Sequence, residues 1–274
     1  MKITDQATIE HLNFLVKTYD AVTKTVAATK NRLCHLSPDA SAKQDDVVKA
    51  MGSIKGRLSR QIGKQLEYWP LWSAWMKNVP GCGPSLAGKL ITLYYYRFTP
   101  TCKHCGGDLE KKDGWLLCRD CGKAAKKDGV LKYKIAIKHF PKVSSWWHYM
   151  GVHCGADGRK PKRKAGVVND WSSAGRTVAF HLGEQFIKNK SAYRDFFDTR
   201  KAKRERTHPE ASAMHRNNMA RHETAKLFLS HFIQVAKILD GEVFTQPYAG
   251  VLMGHTNIIA PFYFEIEKEN RLAA

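Results

Sequence analysis

The chain has 274 residues, 43% of them hydrophobic, with 45 Lys and Arg against 25 Asp and Glu, and a formal charge of +20. This composition excludes a chain that is disordered throughout, and no apolar run approaches the roughly 18 residues of a membrane-spanning helix. Such a basic chain predicts a polyanionic partner, nucleic acid before anionic membrane. Without an apolar signal core at the N-terminus, we expect a cytoplasmic, nucleoid-associated protein with no membrane partner.

The N-terminal part predicts a helical arm. Apolar residues recur at spacings of three and four from Leu12 to Val26, and a similar stripe continues from Met51 to Ile62. The segment LSPDASAK, residues 36–43, interrupts this coiled-coil-like pattern. We therefore predict an antiparallel helical hairpin over residues 1–78. This arm either joins copies of the chain into a homo-oligomer or is an ordinary pair of packed helices.

The segment VPGCGPSLAGKLI, residues 79–91, has two glycines in front of a short apolar helix. Gly81 and Gly83 allow a close approach of a phosphate to the main chain, and N–H groups at the start of the next helix attract anions. Ser85 and Lys89 lie near the start of that helix and complete the predicted contact with phosphate. The pattern resembles the helix-hairpin-helix element, assigned here to residues 79–99, which holds DNA by its backbone. The alternative is a Gly-Pro connector between two helices.

Four of the seven cysteines form two CxxC pairs with twelve residues between them. Each pair is followed by a glycine that permits a tight turn, and four thiolates give closed tetrahedral coordination of zinc. We predict a small β zinc ribbon over residues 100–130, with a structural rather than catalytic ion. Its ligands are Cys102, Cys105, Cys118 and Cys121.

The remaining part, residues 131–274, is predicted to be a basic helical domain that includes a long helix from about residue 209 to residue 239. The whole chain is therefore expected to be mainly α. Basic residues cluster in two segments of this part, and Arg176 lies between them. We predict that they contact nucleic acid, the alternative being solvated loops. The clusters are Arg159, Lys160, Lys162, Arg163 and Lys164, and Arg200, Lys201, Lys203 and Arg204.

The order of these parts resembles the C-terminal transposase half of the insertion sequence 110/116/902 transposase family, kin of the Piv DNA invertases. The resemblance rests on the helical arm, PGCG at residues 80–83, HFPKVSSWWHYMGV at 139–152, a basic loop, and SSAGRTVAFHL at 172–182. It implies a helical, DNA-gripping protein that acts in recombination within a multimeric nucleoprotein complex, in some members with a structured guide RNA.

The chain departs from the family pattern in three ways. We expect the family's N-terminal nuclease domain, with its acidic metal ligands, to be absent from this chain and any nuclease to be a separate subunit. The family's nucleophilic serine, which precedes a glycine in the basic loop, is replaced by Asp157. Ser172 or Ser173 could substitute as nucleophile, or one of them could cap the following helix. The zinc ribbon is an insertion.

Three functions remain open from the sequence. The first is a zinc-stabilised protein that grips DNA or structured RNA by backbone contacts. The second is an active recombinase subunit whose nuclease is supplied in trans. The third is a structural scaffold whose arm and aromatic, apolar C-terminal tail, residues 244–266, bind protein. The first predicts nucleic-acid binding that weakens steeply with salt.

Overall fold

A computed structural model describes residues 6–37, 39, 45–95, 97–102, 104–112, 115–125, 132–136, 140–155, 158–163, 170–242 and 259–265. These residues form eight helices and five short strands, which confirms the prediction of a mainly α protein. The helices are α1 (Gln6–Leu33), α2 (Asp45–Leu66), α3 (Pro70–Ser73), α4 (Pro84–Tyr95), α5 (Val143–Tyr149), α6 (Ser173–Lys188), α7 (Ala192–Thr207) and α8 (Ala213–Leu239). A 3₁₀ turn, Met76–Asn78, follows α3.

The chain divides into two compact units. The first comprises residues 1–90 together with 140–274, and the second comprises residues 91–139. The predicted zinc ribbon, residues 100–130, lies inside the second unit.

Helices α1 and α2 pack against each other in antiparallel directions. The hydroxyl of Thr29 lies 3.8 Å from the sulfur of Met51. Lys55 lies over the ring of Tyr19, with its Nζ 5.5 Å from the ring centre. Thr29, the later of the two α1 residues, thus lies beside Met51, the earlier of the two α2 residues, as antiparallel helices require. This is the helical hairpin that the two apolar stripes predict, because each helix buries its stripe against the other.

Two small sheets make up the strands of the second unit. One is an antiparallel pair, β1 (Arg97–Thr101) with β5 (Lys132–Ala136). The other has the order β2-β3-β4, formed by Leu109–Lys112, Trp115–Cys118 and Ala124–Ala125. Because β1 begins before residue 100 and β5 ends after residue 130, the inserted unit is longer than the predicted ribbon.

Helix α8 lies at the centre of the first unit. Its buried aromatic residues stack against tryptophans from distant segments. The ring centres of Trp75 and Phe228 are 5.2 Å apart, and those of Trp146 and Phe232 are 5.6 Å apart. Helices α5, α6 and α7 all contact α8. A helix that is apolar on several faces is expected to be surrounded in this way.

Local signals at both ends of α8 explain its length. The hydroxyl of Ser212 accepts a hydrogen bond from the N–H of His215 at 3.2 Å, as an N-cap residue does. Gly241, with a φ of 71°, follows the last turn in the left-handed conformation that glycine adopts readily. The predicted end at residue 239 is therefore correct, and the helix begins four residues later than predicted. Among the described residues, no helix combines the length and apolar character needed to cross a bilayer.

Candidate functional site

The four paired cysteines converge in the second unit. Their sulfur atoms all lie within 4.8 Å of one another. The sulfurs of Cys102 and Cys121 are 3.6 Å apart, and those of Cys105 and Cys118 are 3.4 Å apart. Four sulfurs at such distances can hold one metal ion between them. The predicted ligand set is therefore brought together.

Two glycine turns position these cysteines. Gly106 and Gly122 have positive φ angles of 78° and 67°. Their N–H groups donate to the carbonyls of Cys102 and Cys118, at 2.8 and 3.0 Å. Each turn folds the chain tightly behind one CxxC pair, so that both sulfurs of the pair face the same point. An L-residue at either glycine would be strained.

Backbone N–H groups favour the ionised form of one ligand. The N–H groups of Cys105 and His104 lower the pKa of the Cys102 thiol to about 6. A thiolate is the form that binds metal. A set of four thiolates with no open position fits a structural ion rather than a catalytic one.

The PGCG turn packs against the end of α6. Gly81 has a φ of 91°, and a Cβ at this position would lie 3.1 Å from Nδ2 of Asn189 and 3.2 Å from the carbonyl oxygen of Gln185. Cys82 is buried, and this burial raises the pKa of its thiol to about 12. By contrast, a Cβ at Gly83 would meet nothing within 4 Å. The requirement for glycine at residue 81 thus comes from its positive φ and from packing, while the side of the turn at Gly83 is open.

The two polar residues after this turn lie in different surroundings. Ser85 is in the first turn of α4, next to the open side of Gly83. Lys89 forms an ion pair with Asp20 of α1, with 2.5 Å between Nζ and the carboxylate. It also lies 5.6 Å from the centre of the Tyr19 ring. Lys89 therefore joins α4 to the helical hairpin.

A cavity of about 200 Å³ lies between α6, α8 and the loop that follows α5. We call it the basic cavity. Its polar and aromatic walls come from residues far apart in the sequence, and Val152, Ala179 and Ala225 add apolar surface. The polar and aromatic lining residues are Lys160, Arg176, Phe180, Asn218, Arg221 and His222.

The basic cavity concentrates positive charge. The pKa of Lys160 is lowered, because its ammonium is partly desolvated and lies near Arg176, Arg221 and Lys226. Desolvation also lowers the pKa of Lys226. Among the described residues, neither lysine forms an ion pair, and no carboxylate lines the cavity. The carboxylate of Glu184 lies 4.0 Å from Arg221, and that of Glu223 attracts Lys226. An anion in the cavity would relieve this repulsion.

Arg176 connects the loop to α6. Its guanidinium donates to the carbonyls of Gly151 and Pro161, at 3.0 and 2.7 Å, and lies 4.2 Å from the centre of the Trp171 ring. These bonds hold the loop that carries Lys160 at the edge of the cavity. Arg176 is thus a support of the cavity as well as part of its wall.

His222 is a neutral residue in a basic environment. Its pKa is lowered to about 3, because burial disfavours the imidazolium and the nearby Lys160 and Lys226 repel it, although a hydrogen bond to the carbonyl of Val152 acts in the opposite direction. Its Nε2 is buried and has no hydrogen-bond partner within the described part of the chain. A buried polar atom of this kind calls for a donor or acceptor that completes the site.

The second predicted basic segment is partly neutralised. Arg200 and Arg204 both pair with the carboxylate of Glu223 on α8. These ion pairs join α7 to α8. Lys201 and Lys203 lie on the same helix, between the two paired arginines.

The first predicted basic segment lies mostly on the surface. Arg159, Lys160, Lys162 and Arg163 are exposed in the loop that borders the basic cavity, and of these Lys160 also lines it. Lys164, predicted to contact nucleic acid, and Asp157, a candidate at the family's serine position, lie outside the described residues.

Ser172 is the N-cap of α6. Its hydroxyl accepts from the N–H of Gly175 at 3.0 Å, and its own N–H donates to the carbonyl of Tyr149 at 2.7 Å. This confirms the capping alternative for Ser172. Ser173 is exposed in the first helical turn, where its carbonyl accepts from the hydroxyl of Thr177.

The polar and aromatic lining residues that were not among the predicted contacts are Phe180, Asn218, Arg221 and His222, and Lys226 lies beside them. Asn218 and His222 are four residues apart on α8, as are Arg176 and Phe180 on α6, so each pair lies along one helix face. This spacing was a usable signal in the sequence, but it does not reveal that the two faces meet.

A scan against models of known protein families, a search of curated proteins and a search of solved structures each gave no match. The resemblance to the transposase family stays a prediction from the motifs.

Proposed function

We propose that this chain is a zinc-stabilised nucleic-acid-binding protein related to mobile-element transposases. It grips DNA or structured RNA mainly by its phosphate backbone, within a multimeric complex for transposition or recombination. The observation that carries the proposal is the cluster of Lys160, Arg176 and Arg221 in the lining of the basic cavity, with Lys226 beside it over the ring of Trp147. Like charges placed together cost folding free energy unless a counter-charge binds them.

Phosphate contact is the chemistry that this cluster favours. Arg221 and Arg176 present planar guanidinium groups, which match phosphate oxygens, and the lysines add point charges. The exposed Arg159, Lys162 and Arg163 extend the basic surface along the adjoining loop. A run of cations on one surface follows a repeated phosphate chain better than it follows a single small anion.

Zinc is the ion that best fits the cysteine cluster. Four thiolates on two glycine turns are typical of structural zinc sites, in which metal binding contributes directly to folding. The ion would hold β2, β3 and the two cysteine turns together. It would have no role in the chemistry of nucleic acid.

The helical hairpin supports a multimeric assembly. Phe14 on α1 is 64% exposed, and on α2 Val47 and Ile54 are 45% and 40% exposed. Val47 and Ile54 are seven residues apart, so they lie on one face of α2. An apolar stripe on a helical hairpin is suited to contact with a second copy of the chain.

The test is to purify the chain from its own host at low salt and to sequence the nucleic acid that accompanies it, after separate DNase and RNase treatments. We expect an enriched nucleic acid that is released by high salt. A discrete RNA would indicate a guided or scaffolded complex, and DNA enriched for element ends would indicate recombination. Protein free of any enriched nucleic acid would overturn the proposal and favour the scaffold.

A further inference from the structure

The basic cavity combines two surfaces of opposite character. Its interior includes the apolar side chains of Val152, Ala179 and Ala225, while Lys160 and Arg221 bring positive charge to the same space. A purely electrostatic phosphate site has no need of apolar walls. A ligand that matches both surfaces has a flat or apolar body joined to an anionic group.

The guanidinium of Arg221 lies over one face of the Phe180 ring at this cavity. Phe180 is 45% exposed, although it is a large aromatic residue. The guanidinium carbon of Arg221 lies 4.0 Å from the centre of its ring, and the side-chain oxygen of Asn218 accepts a hydrogen bond from Arg221 at 2.8 Å. Aromatic rings and guanidinium planes are the groups on which unpaired bases stack.

His222 contributes a hydrogen-bonding group of defined type. Because the ring is neutral and one nitrogen bonds the carbonyl of Val152, that nitrogen carries the proton. The unpartnered Nε2 is therefore an acceptor. It requires a donor, and every nucleobase offers an N–H on its Watson–Crick edge.

The size of the cavity limits the ligand to a small unit. Its volume of about 200 Å³ is below the roughly 300 Å³ at which pockets for drug-sized ligands begin. A base pair within a duplex cannot enter such a space, whereas a base that has left the stack can.

From these features we infer that the basic cavity binds one unpaired nucleotide, with its base against Phe180 and beside His222 and its phosphate on the cations Lys160, Arg221 and Lys226. This inference rests on the proposed function, and it adds a preference for single-stranded or extruded nucleotides over plain duplex. The chemistry is shared by DNA and RNA, so the sugar must be distinguished by experiment.

The test measures binding of the full chain to three labelled oligonucleotides by fluorescence anisotropy at fixed salt. The first is a duplex, the second is the same duplex with an unpaired overhang, and the third is that overhang duplex with abasic sugars throughout the overhang. Deoxyribose and ribose versions form parallel arms, and the tighter arm identifies the sugar. The variant is Phe180→Leu, which leaves every charge in place. Its control is Tyr68→Leu, a comparable change at an exposed aromatic residue after α2 that does not line the cavity.

We expect wild type to prefer the overhang over both the duplex and the abasic overhang. Phe180→Leu should weaken overhang binding about tenfold and leave duplex binding unchanged, because stacking is worth about 1–3 kcal/mol per base. Tyr68→Leu should bind like wild type. A second variant, Ala179→Leu, fills the cavity and should have the same selective effect.

Equal binding of all three oligonucleotides, or equal losses for duplex and overhang in Phe180→Leu, would overturn this inference and leave the proposed function standing. If wild type binds none of the oligonucleotides, the proposed function fails with it. Circular dichroism of each variant shows whether it is folded. If Phe180→Leu or Ala179→Leu is unfolded, the other of these two cavity variants carries the test.

Discussion

The guanidinium carbon of Arg221 lies 4.0 Å from the centre of the Phe180 ring, and a glycine makes this contact possible. A Cβ at Gly183, one turn after Phe180 on α6, would lie 2.6 Å from Cγ of Arg221 and 3.1 Å from its carbonyl oxygen. Gly183 therefore lets α6 and α8 approach closely enough to stack the pair. The contact between Arg221 and Phe180 at the basic cavity is thus a consequence of close helix packing.

Replacing one cysteine of the cluster should remove the metal. Cys118→Ser is expected to reduce bound zinc from about one ion per chain to a small fraction, because three thiolates hold zinc far less tightly than four. Elemental analysis of the purified protein measures this ratio. Cys34→Ser, at an exposed cysteine outside the cluster, is the control and should keep its zinc. Full zinc content in Cys118→Ser would contradict the assignment of the ligands.

The two glycines of the PGCG turn should respond differently to alanine. Gly81→Ala should lower the free energy of unfolding by at least about 1 kcal/mol, because its φ is positive and its Cβ would crowd Gln185. Gly83→Ala is the matched control, and its effect should stay within about 0.5 kcal/mol because nothing lies near its Cβ. Urea unfolding measures both. Equal effects would contradict the packing of this turn against α6.

Alanine variants of the adjacent Ser172 and Ser173 distinguish a helix-capping role from a catalytic one. Ser172→Ala should lower the free energy of unfolding by about 1 kcal/mol, since it removes the hydroxyl that accepts from Gly175. Ser173→Ala should change it by less than about 0.5 kcal/mol. Thermal unfolding compares the two variants. A covalent adduct with DNA that disappears in either variant would instead support the recombinase alternative.

Stability should fall in mild acid because of His231. Its ring lies between the Tyr193 hydroxyl, 2.8 Å from Nδ1, and the Ile259 carbonyl, 3.0 Å from Nε2. Burial lowers its pKa from 6.5 to about 4. Between these two pKa values the His231 ring is protonated in the unfolded chain and neutral in the folded chain. The free energy of unfolding therefore falls by up to about 3 kcal/mol as the pH falls from 6.5 to 4.

The variant His231→Gln tests this pH dependence, because its amide replaces the hydrogen bonds without titrating. Its free energy of unfolding should decline less between pH 6.5 and 4.5 than that of wild type, even if it is less stable at pH 7. His35→Gln, at an exposed histidine, serves as the control for removing one histidine. Parallel curves for wild type and His231→Gln would contradict a neutral buried imidazole.

Features that depend on neighbouring residues could be predicted from the sequence. The apolar stripes of α1 and α2 predicted their pairing, because a helix buries the residues that recur on one face. The CxxC spacing predicted the cysteine cluster, and the glycine at residue 241 predicted the end of α8. In each case the physical cause lies within a few turns of the chain.

Features that depend on tertiary contacts could not be predicted from the sequence. The basic cavity unites the loop around Lys160 with α6 and α8, and nothing in the local pattern of these segments shows that they meet. For the same reason, charge alone did not distinguish Lys160, which has no ion pair among the described residues, from Arg200 and Lys89, which pair with Glu223 and Asp20.

The most direct test of nucleic-acid binding is the slope of log binding constant against log salt concentration for a single-stranded oligonucleotide. The variant carries Lys160→Gln and Lys226→Gln, and the control carries Lys24→Gln and Lys30→Gln on α1, which removes the same charge. Each lost phosphate contact lowers the magnitude of the slope by about 0.7 for single strands. We predict a decrease of about 1.4 for the cavity variant and a wild-type slope for the control. Equal slopes in all three proteins, or wild-type binding that does not depend on salt, would contradict the account.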